Sequence, residues 1–315
     1  MTTLGKLLEN GRFVVTGEIG PPKGVDLETC LHDAEAMRGH VTAINVTDLQ
    51  SAVMRVGSLA VSARLVERGL EPVYQLTCRD RNRLALQSDL LSAGALGVQN
   101  VLCLTGDHPI LGDHAEAKPV YDLDSVQLLT AAEGLNQGHD MEGHDLDSVP
   151  DLFLGAVVTP GADPLEPQTT KMKNKIKAGA RFFQTQAIYE PDAFKRFMEQ
   201  VRGFGVPILA GIVVLKSAAM ATFMNENVAG ISVPRDIIEE MEATAKEDRK
   251  KKAVEISARI IEQVRPFCQG IHIMPLGWDE LVPEIVEAAG VVPKADSHEY
   301  LRLDPNSLTS PASLS

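Results

Sequence analysis

Polar side chains with chemical reach recur where the apolar runs of this sequence stop. "VVTGEIGPPKG" (14–24) ends its apolar stretch on Glu18, just before a proline pair. Later runs end on Thr47 and Asp48, on Gln75 and Thr77, on Thr105 and Asp107, on Thr159, and on Gln184 and Gln186. A carboxylate can hold or deliver a proton, and an amide can donate and accept at one ligand edge. Each residue alone reads equally well as a turn or helix-capping residue, as Asp107 in "LTGDHP" illustrates. Two acids and two amides sharing one pocket carry a desolvation cost that makes little structural sense without a ligand. The pattern points to one polar small-molecule site, provided the fold gathers these ends.

Gathering them requires the runs to be parallel strands. Eight short, β-branched runs are present: "FVVTGEI", "AINVTDL", "EPVYQLTC", "NVLCLTG", "LFLGAVVT", "RFFQTQAI", "PILAGIVV" and "GIHIMPL". Most are separated by segments with apolar residues three and four apart, such as "SLAVSARLVERG" and "AFKRFMEQVRGFG", many closed by the glycine that suits a left-handed C-cap. Strand then helix, repeated, predicts parallel pairing with right-handed crossovers, and eight units predict a (β/α)8 barrel over residues 1–294. An open doubly wound sheet is the alternative, but no GxGxxG follows the first run. Active sites of such barrels lie at the C-terminal ends of the strands, where the polar residues fall.

Two stretches break the rhythm. The Gly-, His- and Asp-rich stretch 134–151 reads as a solvated excursion rather than a metal site, because its histidines lack helical i,i+4 spacing. Residues 231–266 predict a charged helical pair, the first helix opened by Pro234 and the "EDRKKK" run on a solvated face. Residues 295–315 read as a C-terminal tail. A net charge of -13 argues against a nucleic-acid or anionic-membrane surface. Cys30, Cys78, Cys103 and Cys268 have no zinc or disulfide spacing, so no metal site is expected. With no leader or spanning segment legible, the expectation is a cytoplasmic protein, with homo-oligomerisation open.

At this point the sequence resembles the methylenetetrahydrofolate reductase family, from about residue 3 to residue 292. The resemblance rests on "GEIGPP", the "VTD" of the second run, "QLTC", "LTGDHP", and "KMKNKIKAGARFFQTQ", all in order. It implies a flavin-dependent reduction of 5,10-methylenetetrahydrofolate to 5-methyltetrahydrofolate, with Glu18 as general acid and Asp107 near both flavin and folate. It implies that Gln186 contacts the pterin, and that Thr47, Gln75, Thr105, Asp107 and Lys175 contact the flavin. The chain departs from the family pattern in places. Thr105 stands where an arginine is usual, and "VVTPGADP" replaces an aromatic- and imidazole-bearing stretch that holds the adenylate of FAD, which leaves FMN or FAD open. "LKSAAM" offers no ring to stack on a nicotinamide, and "PLGW" near the eighth run makes Trp278 either a core anchor or a lid. These changes resemble the branch of acetogenic and other anaerobic bacteria, implying an iron-sulfur, zinc-containing partner subunit, with NAD(P)H or ferredoxin as other donors. A non-flavin barrel lyase or aldolase and a flavin-binding scaffold subunit are the competing readings.

Overall fold

Every strand of a parallel sheet can bond to neighbours on both sides only if the sheet closes on itself, and in the computed structural model, which describes residues 1–293, it does. The eight apolar runs are β1 (Val14–Ile19), β2 (Ala43–Val46), β3 (Pro72–Thr77), β4 (Asn100–Leu104), β5 (Phe153–Val158), β6 (Phe182–Ala187), β7 (Ile208–Val213) and β8 (Gly270–Met274). They pair in chain order, all parallel, and β8 returns to β1 through Val14 opposite Gly270. The fold is therefore the (β/α)8 barrel that the alternation predicts.

A helix, α1 (Thr3–Glu9), precedes the first strand. Outside the barrel lie α2 (Glu28–Ala36), α3 (Ser58–Glu67), α4 (Arg83–Ala95), α5 (Ser125–Asn136), α6 (Glu166–Lys177) and α7 (Pro191–Val201). They are followed by α8 (Ala218–Asn227), α9 (Arg235–Ala243), α10 (Arg249–Val264) and α11 (Leu281–Ala288). The predicted charged pair is α9 and α10, with Pro234 just before the first turn of α9 rather than inside it. The 134–151 excursion is held by its own polar groups: His139 Nδ1 lies 3.1 Å from Asp145, and His144 Nδ1 lies 2.9 Å from Asp140. The tail expected from residue 295 lies outside the described residues. Among the described residues, no helix is long and apolar enough to cross a membrane.

Strand alternation divides the core in two. Val15 and Ile19 of β1 face out to the helices, in the larger apolar cluster. Val14 faces in, with Ala43, Val73, Leu102, Phe153, Phe182 and Leu209, and Leu4 and Leu8 of α1 plug this end. Above this apolar floor the inward positions turn polar, so the plug seals the end opposite the site. The rings of Phe153 and Phe182 stack at 5.3 Å across a position that must be small: a Cβ on Gly155 would sit 2.3 Å from Phe182 Cζ. Phe182 is fully buried and has no room to swing away. Gly155→Ala is expected to destabilise the barrel by about 1–3 kcal/mol through overpacking, read as a lower urea midpoint. An unchanged midpoint would show that the floor can yield.

Candidate active site

The strand ends that the sequence marked meet around a single cavity of about 420 Å³ at the C-terminal end of the barrel. Glu18, Thr47, Gln75, Thr105, Asp107, Lys175 and Gln186 all line it, together with Asp48, Thr77, Thr159 and Gln184. The neighbours of each decide what it can do.

Glu18 is 6% exposed. Gln75 Nε2 donates to its Oε2 at 3.0 Å, and His272 Nε2 lies 3.4 Å from the same oxygen. His272 is itself held on its other nitrogen, with Nδ1 3.0 Å from Thr16 Oγ1. Thr16 accepts from Gln184 Nε2 at 3.3 Å, and Gln184 and Asn45 exchange two amide hydrogen bonds of 2.8 and 3.0 Å across the barrel. A single chain of contacts therefore runs from Gln75 through Glu18 and His272 to Asn45, all inside the barrel wall. Sequence reasoning missed His272, Thr16 and Asn45. The signal was there for two of them: Asn45 within "AINV" and His272 within "GIHIM" are each the lone polar residue of an otherwise apolar strand, while Thr16 precedes Glu18 by two positions on the same face of β1.

Asp48, beside Thr47, is a support rather than a ligand group. Its Oδ2 accepts from Thr77 N at 3.0 Å, Thr77 Oγ1 at 2.8 Å and Arg81 Nη1 at 2.8 Å. Thr47 differs, because its Oγ1 is buried and has no partner among the described residues. An orphaned hydroxyl of this kind costs about 1–3 kcal/mol unless a ligand meets it. The segment that follows is strained, since Leu49, Ser51 and Ala52 all have φ between 48° and 57°. Arg79, also missed, clamps it: Nη2 donates to Leu49 O and Nη1 to Asp107 O, both at 3.3 Å.

Through that clamp the loop after β2 and the loop after β4 are fixed together. Gly106, with φ +90°, turns the chain tightly between Thr105 and Asp107, where its Cα packs against Thr77 and Arg79. Thr105 Oγ1 accepts from Ser125 N at 3.3 Å. The Asp107 side chain is exposed to the cavity, and its carboxylate has no hydrogen bond or ion pair among the described residues.

Gln186 reaches the cavity because the β6·β7 register shifts between Gln184 and Ala187. Such an irregularity re-aims one side chain, and Gln186 is the exposed residue of an otherwise buried strand. Lys175 comes from α6, where long side chains lean toward the helix N-terminus and so toward the strand ends. It is 5% exposed, and its Nζ donates to Val157 O at 2.7 Å. Burial, and next the charge of Lys171, lower its pKa to about 8. Trp278 is not among the cavity-lining residues. It packs on the outer core with Lys216 Nζ 5.4 Å and Lys250 Nζ 5.8 Å from its ring centroid, as an anchor of the loop after β8.

The chain is an apolar-plugged (β/α)8 barrel with a carboxylate, amides, an orphaned hydroxyl and a buried ammonium at its open end, the end at which barrels of this class carry their sites. The family follows from comparison: a model described as "Methylenetetrahydrofolate reductase" matches residues 3–290, and the chain belongs to that family. "Methylenetetrahydrofolate reductase 2" of Schizosaccharomyces pombe is 27% identical over 317 residues, covering 91% of this chain and 47% of that protein. The chain thus spans about half the length of that relative. "5,10-methylenetetrahydrofolate reductase" of Pectobacterium carotovorum is 27% identical over 209 residues, 64% of either chain. Among solved structures, an uncharacterised Clostridium thermocellum protein that binds two copies of 5-methyl-5,6,7,8-tetrahydrofolic acid superimposes with a TM-score of 0.61 at 19% identity. That match covers 91% of this chain and 98% of the other and supports the shared fold.

The loop after β8 adds a titrating group. Burial, and next the charges of Asp33, Glu18 and Glu280, push the Asp279 carboxyl from its ordinary 3.8 up to about 7. Between those two values the folded protein keeps a proton that the unfolded chain has lost, so this group subtracts stability as pH rises from about 4 to about 7. Asp279→Asn is expected to melt at a higher temperature than the parent at pH 8, with the difference shrinking towards pH 4. A difference independent of pH would refute the assignment.

Proposed function

We propose that this chain catalyses the flavin-dependent reduction of 5,10-methylenetetrahydrofolate to 5-methyltetrahydrofolate, with Glu18 as the general acid. The observation that carries the reading is a buried carboxylate oriented by an amide and an imidazole, in the wall of a cavity whose other polar groups are partly unpartnered. Membership of the family supplies the reaction class.

A flavin, FMN or FAD, supplies the hydride to the one-carbon unit when it is bound in reduced form. The residues that would hold it are Thr47, Gln75, Thr105, Asp107 and Lys175. Two of them fit the group on their own evidence: Thr47 has a buried hydroxyl without a partner among the described residues, and Lys175 a buried ammonium beside a second lysine. Glu18 delivers its proton to the folate nitrogen that departs as the five-membered ring opens to an iminium. The carboxylate left behind keeps the Gln75 N–H on Oε2 and faces His272, so the charge develops among fixed partners. The Asp107 carboxylate, without a hydrogen-bond partner among the described residues, meets the pterin and disfavours further negative charge beside the flavin. Gln186 both donates to and accepts from the pterin edge.

For the electron donor, the reading draws on the segment after β7. Residues 215–220 carry no aromatic ring for a nicotinamide to stack on, and Lys216 is turned to Leu276 O. This supports reduction by an iron-sulfur, zinc-containing partner protein. Flavin in the isolated chain is expected to be reduced slowly by NADH, as followed by anaerobic bleaching; fast bleaching would overturn the donor assignment.

Glu18→Gln keeps the shape and the Gln75 contact while removing the proton. We expect it to retain flavin and to be reduced normally by dithionite, while folate reduction falls by about 10²–10⁴-fold. Folate turnover close to the parent's would refute the role of Glu18.

A further inference from the structure

Asp107 reaches the cavity from the turn after β4 with its carboxylate unpartnered among the described residues, so the backbone alone sets where that carboxylate stands. By composition this backbone is soft. Gly106, at φ +90°, has more conformational freedom to lose than any other residue type. Yet the peptide planes on both sides of the Asp107 Cα are tied down. Ahead of it, Tyr121 Oη donates to Gly106 O at 3.2 Å, and behind it, Arg79 Nη1 donates to Asp107 O at 3.3 Å. Two planar peptide units held on either side of one Cα restrict its φ and ψ, and with them the direction of the side chain.

Arg79 is a costly group to spend on a tie. It is 2% exposed, and taking a guanidinium out of water is expensive. Asp80 meets its charge, accepting from Nε on both oxygens at 3.0 Å and lying 2.8 Å from Nη2. The same Nη2 donates to Leu49 O, so one fork holds Asp107 and the cavity-lining segment after β2 together. The two ties that flank Asp107 are also joined to each other, because the Arg79 carbonyl accepts from Val120 N at 2.8 Å, one residue before Tyr121. Tyr121 itself sits at φ 42°, a conformation that a bulky residue keeps only when its surroundings hold it there. A lysine at position 79 retains the charge beside Asp80 but has no planar fork to span two carbonyls.

We propose that Arg79 is a positioning residue for the reaction: by fixing the Asp107 carbonyl it aims the Asp107 carboxylate at the folate, while Tyr121 fixes the peptide ahead of it. The proposal rests on the reading above that Asp107 meets the pterin, and it names what holds that carboxylate in place before the substrate arrives. Arg79 acts through Asp107. A reacting or orienting group displaced by about 1 Å can cost about 10²-fold in rate, so the tie matters most at the step in which the folate reacts.

The test uses the full chain loaded with flavin, reduced by dithionite and then reoxidised in a single turnover by saturating 5,10-methylenetetrahydrofolate. Arg79→Lys is expected to keep its flavin and to be reduced at the parent's rate, while reoxidation slows by about 10–10²-fold. Combined with Asp107→Asn the losses should not multiply: the double variant should run within about threefold of Asp107→Asn alone, because no carboxylate is left to aim. A merely structural role predicts losses that multiply. Should Arg79→Lys fail to fold or to hold flavin, Tyr121→Phe carries the same test, since it removes one hydroxyl and keeps the ring; its loss should be smaller and should vanish in the Asp107→Asn background. Multiplying losses, or reoxidation of Arg79→Lys at the parent's rate, would overturn the positioning role and leave the flavin and folate reading intact. Asp107→Asn reoxidising like the parent would overturn the role of Asp107 and that of Arg79 with it, and a reduced parent that the folate does not reoxidise would overturn the functional reading as a whole.

Discussion

Placing a carboxylate inside a closed barrel is the constraint around which this site is organised. Glu18 cannot face the apolar floor formed by Val14, Leu102 and Phe182, so it sits four residues beyond Val14 along β1, where the inward positions become polar. A buried acid needs hydrogen-bond donors to be tolerated. Gln75 and His272 supply contacts to one oxygen, and those residues need partners in turn, which Thr16, Gln184 and Asn45 provide across the barrel. The network spans β1, β2, β3, β6 and β8, so the position of the acid is set by the closure of the sheet rather than by any one segment.

The loops above this network show a second tier of the same economy. Asp48 and Arg81 neutralise each other beneath the loop after β2, and Arg79 ties that loop to the one after β4. Further out, Asp113 accepts from Met54 N and pairs with Lys23, joining the loop after β1 to the same group. Gly112 lies so close to the Ala52 carbonyl that no side chain fits between them. Charged and amide groups at this end therefore divide into two sorts. Asp48, Arg79 and Arg81 are consumed in holding loops, while Asp107, Gln186 and Lys171 keep unspent polar atoms at the cavity.

That division explains what was and was not legible beforehand. The barrel follows from the sequence because strand and helix periodicities are local, and eight repeats leave few ways to close. Glu18, Thr47, Gln75, Thr105, Asp107 and Gln186 were visible because a polar residue at the end of an apolar run is a local contrast. Lys175 entered by resemblance, since one lysine in "KMKNKIK" looks like another on composition alone.

His272, Thr16, Asn45 and Arg79 were not singled out, for a different reason. Their significance is a contact with a residue 28 to 256 positions away, and such a contact exists only once the sheet has closed. Trp278 is a similar case: as a residue type it suited either an anchor or a lid, and packing on the outer core between Lys216 and Lys250 made it an anchor. By itself the sequence determined the class of fold, the end of the barrel that carries the site and most of the groups there. The tertiary structure alone decided which of those groups are free to meet a ligand, because a polar atom is spent or unspent only by what lies across from it in space.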